Sequence, residues 1–463
     1  MLYFYIIKNK IENILIVCYN DIMKLSNEVK FVINKLEQAG YEAYLVGGAV
    51  RDFLLHHENN DIDITTNAKP EEIKNVFKDY HLIETGLKHG TVTLIYNHQP
   101  IEITTYRIDG DYLDNRHPNL VKFTNSLRED LLRRDFTINA MAYNKKLIDY
   151  FGGKEDLKNK LIRAVGDSNQ RMKEDALRIL RGLRFASILN FQIEEQTIIA
   201  MRENKQLLLN ISNERIQNEL NEILLGDNVK EVLLRFSDIF SVVIPELNKI
   251  IGFNQYNKYH IYDVYTHSVY ALSSSTKDLI VRLTLLFHDI GKPSVFTMDE
   301  SGNGHFYQHA LESEKITRNI LNRLKYDNDT KNQVITLIKY HDVVLNDDIK
   351  TVKRWLNRLG EDLFKKLIEV QIGDNFGQNP EYRDRQIRLN KIKELIDIVV
   401  AENNCFSLKQ LAVNGFDMIK LGYIGSQIKE ALNFALDSVI NEKIENDKDK
   451  ILSYIKVHFI NNN

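Results

Sequence analysis

The chain is poor in cysteine and proline and carries no large excess of either charge. Its two cysteines, Cys18 and Cys405, stand far apart in 463 residues and imply no disulfide framework, which fits a reducing cytoplasm. Six prolines and 21 glycines leave few breaks, so a composition rich in Ile, Leu, Lys, Glu and Asn predicts a mostly helical chain with short connections. A net charge of −3 does not advertise a nucleic-acid partner, although a local basic patch still permits one. Residues 1–18 are apolar in patches but interrupted by Lys8, Lys10 and Glu12. That stretch is too short and polar to span a bilayer and lacks a small-residue cleavage site, so no membrane partner is expected. The chain contains no internal repeat, no low-complexity tract and no G-x-x-x-x-G-K-[ST] phosphate loop. Amphipathic patterning restarts at Met23 and predicts a helix to about Gln38, halting at Gly40. Residues 1–22 are expected to be an upstream extension.

What is present is concentrated. Gly47-Gly48 precedes Arg51, and Asp61-Ile62-Asp63-Ile64-Thr65 follows. On a strand, Asp61 and Asp63 share one face while Ile62 and Ile64 point into a core. Two carboxylates on one face repel unless a cation lies between them, and hard oxygen donors suit Mg²⁺. Glycines without a Cβ let a phosphate approach the backbone N–H groups. These are the parts of a nucleoside triphosphate site built without a phosphate-loop lysine. Strands are predicted over residues 43–46, 62–65, 91–96, 101–105 and 147–150, and Glu102 on the fourth is a candidate third acid. From about residue 170 onward the apolar spacing of three and four predicts helices, with loops near 190, 250–262, 292–308, 341–350, 373–385 and 402–407.

Two further clusters add chemistry. In Leu131-Leu132-Arg133-Arg134-Asp135, read as a basic helix start, the arginines offer planar donors suited to phosphate and Asp135 offers an acceptor for a ribose hydroxyl. In Glu174-Asp175-Ala176-Leu177-Arg178, a helix would place Asp175 and Arg178 on one face, an acceptor beside a donor. Cytosine and adenine both present an amino donor beside a ring-nitrogen acceptor; guanine and uracil present the reverse order. One fixed Asp–Arg pair could therefore accept C and A without a template strand. An ordinary surface ion pair is the competing explanation.

The ordered segments LVGGAVRD, DIDITT, KHGTV, RRDFTINAMAYN, DYFGGKEDLKNKLIRAVGD, EDALRILRGLRFA and SNERIQNEL, over about residues 41–225, resemble the class II tRNA nucleotidyltransferases. These are the bacterial-type CCA-adding enzymes, which share a catalytic head with bacterial poly(A) polymerases. The resemblance implies an α+β fold: a polymerase-beta-like nucleotidyltransferase head with a small mixed sheet, then an all-helical neck, an HD-containing body and a tail. The implied boundaries are 23–155 for the head, 156–225 for the neck and 226–261 for a helical linker. An HD domain over 262–375 and a tRNA-contacting tail over 376–463 complete them. The residues matching Asp61 and Asp63 hold Mg²⁺ in that family, and those matching Gly48, Arg51, Arg133 and Arg134 handle the triphosphate. The residue matching Asp135 recognises the ribose. Those matching Asp175 and Arg178 read the base with support from Glu174, Arg181 and Arg184, and the stretch around Glu214 and Arg215 buttresses them. The implied activity is transfer of nucleotides from CTP and ATP to the 3′ end of tRNA, in the cytoplasm.

The interval with Lys88-His89-Gly90 lacks the longer basic-aromatic segment of poly(A) polymerases, and the loop at residues 107–118 is the full one that C-only enzymes lack. Addition of A alone, or of poly(A), remains an alternative. So does an RNA-binding head whose histidine domain does the chemistry. His267, His288-Asp289, His309, His341 and Asp374 resemble an HD phosphohydrolase domain, a kind that in some related enzymes acts on 2′,3′-cyclic phosphates. The resemblance maps divalent-metal ligands onto His267, His288, Asp289 and Asp374, with His309 and His341 as additional ligands or phosphate contacts. The tail sequence Leu421-Gly422-Tyr423-Ile424-Gly425 departs from the family's Gly-Pro-Gly-rich turn.

Overall fold

The computed structural model describes residues 25–57, 61–87, 90–110, 121–402 and 404–459. The expected extension at 1–22, Lys88 and His89, and residues 111–118 of the proposed loop lie outside them. The chain divides into two compact units, one ending at Asn228 and the other beginning at Val229.

The first unit is built on seven strands: β1 Ala43–Val46, β2 Ile62–Thr66, β3 His81–Ile83, β4 Thr91–Tyr96, β5 Gln99–Thr105, β6 Met141–Asn144 and β7 Lys146–Asp149. Their order across the sheet is β3-β4-β5-β2-β1-β6-β7. Neighbours are antiparallel except β2 and β5, which run parallel with Ile62 opposite Ile101 and Asp63 opposite Glu102. Ile62, Ile64, Val92, Leu94, Ile101 and Ile103 are buried on one face, so period-two alternation leaves Asp61, Asp63 and Glu102 on the other. The expected strands are all present, shifted at their ends by a residue or two. β3 and β6 were not expected. Helix α1, Asn27–Gln38, starts where the Ser26 hydroxyl accepts the Val29 N–H, and it buries Val29, Val32, Ile33 and Leu36. Its Phe31 ring stacks on Tyr96 of β4 at 4.1 Å.

The remaining helices that position the first site are α2 Gly48–Leu54, α3 Leu127–Leu132, α4 Ser168–Glu174, α5 Leu177–Leu189 and α6 Asn213–Leu225. α5 and α6 pack side by side, tied where Ser187 Oγ donates to the Ile223 carbonyl at 2.7 Å.

The second unit is helical apart from a two-strand ribbon, Thr297–Met298 with Gly304–His305. Five helices frame its buried histidines: α7 Val264–Ser273, α8 Leu279–Phe287, α9 His309–Arg323, α10 Asn328–Tyr340 and α11 Glu361–Gly377. α11 continues through residues expected to open a loop at 373, because its buried face carries on through Gly373, Asp374 and Gly377. An added Cβ on Gly377 would lie 2.8 Å from both the Nδ1 and the carbonyl oxygen of His267, so α7 approaches α11 only because no side chain is there. Helices further on, including Ser426–Ile440 and Lys448–His458, close a separate small core around Leu436, Ile451 and Ile455. No helix among the described residues is long and apolar enough to cross a membrane.

Candidate functional site

A cleft of about 740 Å³ opens where β1 gives way to α2. Gly47 makes that turn at φ 70°, ψ −136°, a conformation that disfavours any side chain. A Cβ there would lie 3.2 Å from Arg134 NH1 and 3.5 Å from Asp63 Oδ2, so glycine lets a cation and a carboxylate crowd the backbone. Asp61 and Asp63 line the same cleft. Burial raises the Asp63 carboxyl above its usual range; Arg134 opposes the shift and Asp61 adds to it. Glu102, opposite Asp63 in register, is raised by burial and by Asp63 and Asp61. These acids lack sufficient positive charge, and their all-oxygen donor set fits a hard divalent cation.

Arg133 and Arg134 line the cleft but do not open a helix as expected: α3 ends at Leu132, and Arg133 is its C-cap. The last turn of a helix carries partial negative charge, which suits cations there. Beneath them Asp130, fully buried, takes Arg133 NH2 at 2.8 Å and Arg134 NH2 at 3.6 Å. Burial favours its neutral form, but the two arginines outweigh that and hold the carboxyl low.

Asp135 is 7 % exposed and accepts from the Phe136 N–H, Asn139 Nδ2 and both Arg181 Nε and NH2. Arg181 therefore projects into the cleft on a rigid base. Arg51 is fixed by Asp52 at 2.7 Å and by Asn139 Oδ1 at 2.8 Å. Arg184 is fixed by Glu219 at 3.3 Å. The guanidiniums of Arg51, Arg181 and Arg184 lie 5.0, 5.7 and 4.8 Å from the Phe185 ring. Aromatic contact lets three like charges converge with less loss of favourable surroundings.

Asp175 and Arg178 also line the cleft, but they do not share one helix. Asp175 is extended at φ −134°, ψ 102°, in the break between α4 and α5. Its Oδ1 accepts the Leu177 N–H at 3.0 Å, the local side-chain bond by which aspartate favours a helix start over a helix interior. Its Oδ2 takes Arg215 NH2 at 3.3 Å. Arg178 donates to Glu174 Oε2 at 2.7 Å and to the carbonyls of Arg171 and Arg133 at 3.0 and 2.9 Å. Each member of the pair is held in place by a third residue. Glu214, expected beside Arg215 as a buttress, is exposed. Asn139 and Glu219 were missed because Arg51 and Arg184, which they hold, lie tens of residues away; Asp130 was missed although Arg133 and Arg134 are three and four residues on, because nothing local marks it as buried; Phe185 sits within a quoted motif without any local signal of its role.

The second unit brings together His267, His288, His309 and His341, the histidines read as an HD-like set. His267 Nε2 lies 3.1 Å from Asp374 Oδ1 and 3.4 Å from Asp289 Oδ2, and His288 Nε2 lies 3.2 Å from Asp289 Oδ2 and 3.5 Å from Asp374 Oδ1. Ligand atoms of these four residues all fall within 4.8 Å of one another. Burial disfavours a charge on His288, yet Asp289 and Asp374 raise it to about 10, so the carboxylates there call for a positive partner. Two carboxylates with two imidazoles suit a divalent transition metal. Lys292 Nζ, 2.6 Å from Asp289 Oδ2, and Arg385 NH2, 3.1 Å from Asp374 Oδ2, balance charge from outside the cluster.

The sequence matches the family profile of the Poly A polymerase head domain over residues 43–163. It also matches that of the RNA and SrmB-binding site of polymerase A over 190–251 and that of the tRNA nucleotidyltransferase domain 2 over 305–455. The CCA-adding enzyme of Staphylococcus haemolyticus is 30% identical over 442 residues, covering 94% of this chain and 98% of that protein. The CCA-adding enzyme of Lactobacillus helveticus is 34% identical over 434 residues, covering 92% and 95%. The crystal structure of the Bacillus stearothermophilus CCA-adding enzyme in complex with CTP is similar at a TM-score of 0.67 and 28% identity, covering 94% of this chain and 98% of that one.

Proposed function

The chain belongs to the CCA-adding enzymes, and from that premise we propose that the cleft around Asp61 and Asp63 joins C and A to the 3′ end of tRNA, with CTP and ATP as donors. The observation that carries this reading is the convergence of Asp61, Asp63, the arginines and the Asp175–Arg178 pair on one cleft. Asp61 and Asp63 would hold Mg²⁺, which when bound lowers the pKa of the attacking hydroxyl and neutralises charge at the α-phosphate. Arg51, Arg133 and Arg134 would fix the triphosphate with Gly48 beneath it, and pyrophosphate leaves as the tRNA 3′-hydroxyl attacks. Asp135 with Arg181 would meet the ribose. Asp175 would accept from the amino group of C or A while Arg178 donates to the adjacent ring nitrogen, Glu174 and Arg215 holding both still and Arg184 completing the wall.

The alternatives of A-only addition and poly(A) addition are not favoured, since the relatives that span nearly the whole chain are CCA-adding enzymes. Incubating a tRNA that lacks CCA with CTP and ATP and sequencing its 3′ end tests the reading. Failure to incorporate CTP contradicts it.

We assign the head to residues 23–155, the neck to 156–225, a linker to 226–261, a metal-dependent phosphohydrolase domain to 262–375 and a tRNA-contacting tail to 376–463. His267, His288, Asp289 and Asp374 would hold a divalent metal, whose chemistry is polarisation of a phosphate ester and of the water that attacks it. A tRNA substrate and two cysteines distant in sequence support a cytoplasmic setting.

A further inference from the structure

Within the second unit, a cavity of about 750 Å³ is lined by residues of the helix Ile349–Leu359 and of the small terminal core. Lys353 and Cys405, 9 % and 7 % exposed, form its floor. Val439, Ile444 and Tyr454 give it an apolar wall. Neither the nucleotide cleft nor the histidine cluster uses any of these residues.

The charges around the cavity do not balance. Its lining holds Lys353, Glu442, Lys443, Glu445 and Lys450. Glu445 is paired with Lys450 at 2.5 Å, and Glu442 with Lys350 at 3.1 Å. Among the described residues, Lys353 and Lys443 have neither a hydrogen bond nor an ion pair through their ammonium groups. Lys443 is exposed, and water serves it. Lys353 is buried, where an ammonium without a counter-charge is costly. Burial pushes the Cys405 thiol up and Lys353 works against the rise, so the two side chains share the floor. We propose that this cavity binds a small phosphate monoester of sugar-phosphate or mononucleotide size. Lys353 and Lys443 hold the phosphate, and Val439, Ile444 and Tyr454 face the organic body.

The two unmatched lysines fit the charge of such a ligand, since a phosphate monoester carries about −1.5 to −2 at pH 7. Lysine binds phosphate as a point charge and needs no planar partner. The volume falls within the roughly 300–1,000 Å³ of small-molecule sites and far exceeds what a bare phosphate fills. A phosphate inside a nucleic-acid backbone has one charge and sugar on both sides, so a terminal phosphate suits a floor this buried better. The direct polar ties between the helix and the terminal core are exposed. Asn357 Nδ2 donates to the Phe406 carbonyl at 2.8 Å, and Arg354 Nε donates to Asn441 Oδ1 at 3.2 Å. A ligand touching both sides adds contact to that joint and stabilises the folded chain.

Cys405 supplies the readout, because it lines this cavity and not the nucleotide cleft. The folded full chain is treated with iodoacetamide, and mass spectrometry follows alkylation of Cys405 at constant ionic strength. Ribose 5-phosphate or AMP at ten times its Kd should slow that reaction about tenfold, because only the unliganded protein reacts. Inorganic phosphate should protect more weakly. Lys353→Met should abolish the protection and Lys443→Gln should weaken it, with circular dichroism establishing that each variant is folded. Lys443 is exposed, so its variant keeps the test decisive if Lys353→Met fails to fold. Without any phosphate compound, Lys353→Met should have the higher Tm, since an unpaired buried charge is gone. Absence of protection by ribose 5-phosphate and AMP overturns the site, as does protection that survives both substitutions. Equal protection by inorganic phosphate overturns the organic part of the ligand. Protection by tRNA alone overturns the small-molecule occupant.

Discussion

Arg178 donates to Glu174 Oε2 at 2.7 Å, so the arginine beside Asp175 is held by the last residue of α4 rather than by Asp175. Both side chains are largely buried, and a hydrogen bond to a charged group there contributes about 1.5–3 kcal/mol. Glu174→Gln weakens that hold without removing Arg178. The expected result is a roughly 10- to 100-fold loss in kcat/KM for CTP and ATP, with increased incorporation of G and U. Single-nucleotide incubations followed by 3′-end sequencing measure both. Unchanged selectivity would detach Glu174 from base reading.

Asp63 gives a pH prediction with a definite sign. Its folded pKa is raised, chiefly by burial and further by Asp61 despite Arg134. The metal-free folded chain therefore takes up this proton at higher pH than the unfolded chain, and its charge opposes folding at neutral pH. That cost is relieved as pH falls through the folded pKa. Metal-free Asp63→Asn should have the higher Tm near pH 7, and the difference from the unaltered protein should shrink on acidification. Thermal scans across that range check it; a difference that grows toward acid contradicts the assignment. Mg²⁺ should stabilise the unaltered protein more than the variant.

Gly47→Ala tests the turn. An alanine at φ 70°, ψ −136° is strained, and its Cβ would meet Arg134 NH1 at 3.2 Å. Strain of this kind costs about 1–3 kcal/mol. The expected outcome is a lower Tm and severe loss of nucleotide addition, because the turn is strained and Arg134 is pressed out of place. Full activity with normal stability would mean the turn relaxes freely.

Gly377→Ala tests the histidine cluster in the same way. The new Cβ would sit 2.8 Å from His267 Nδ1. Overpacking in a dense core costs about 1–3 kcal/mol. Metal content measured by elemental analysis should fall with stability, since His267 must move. Retention of full metal content would place His267 outside the ligand set.

How much the sequence revealed follows from how local each signal is. Asp61-Ile62-Asp63 was readable because the start of β2 alternates, with Ile62 and Ile64 buried and the aspartates opposite, before Thr65 and Thr66 are buried in succession. β6 was hidden because Ala140, Met141, Ala142 and Tyr143 are all buried, and a strand covered on both faces shows no alternation. Arg133 and Arg134 were placed at the wrong end of a helix for a related reason: α3 is six residues long, too short for its own periodicity to register. The clustered histidines were visible from residue type and adjacent carboxylates. The place of Asp289 between the two groups of histidines was not, because it depends on the ends of three helices meeting. Asn139 on Arg51 and Glu219 on Arg184 are likewise products of tertiary packing.

The central claim is that the cleft around Asp61 and Asp63 completes the 3′ end of tRNA with C and A. A tRNA lacking CCA, incubated with CTP, ATP and Mg²⁺, should gain C, C and A and stop, and Asp61→Ala with Asp63→Ala should abolish all addition. A 3′ end that never gains C, or that grows into a run of A, would contradict the account.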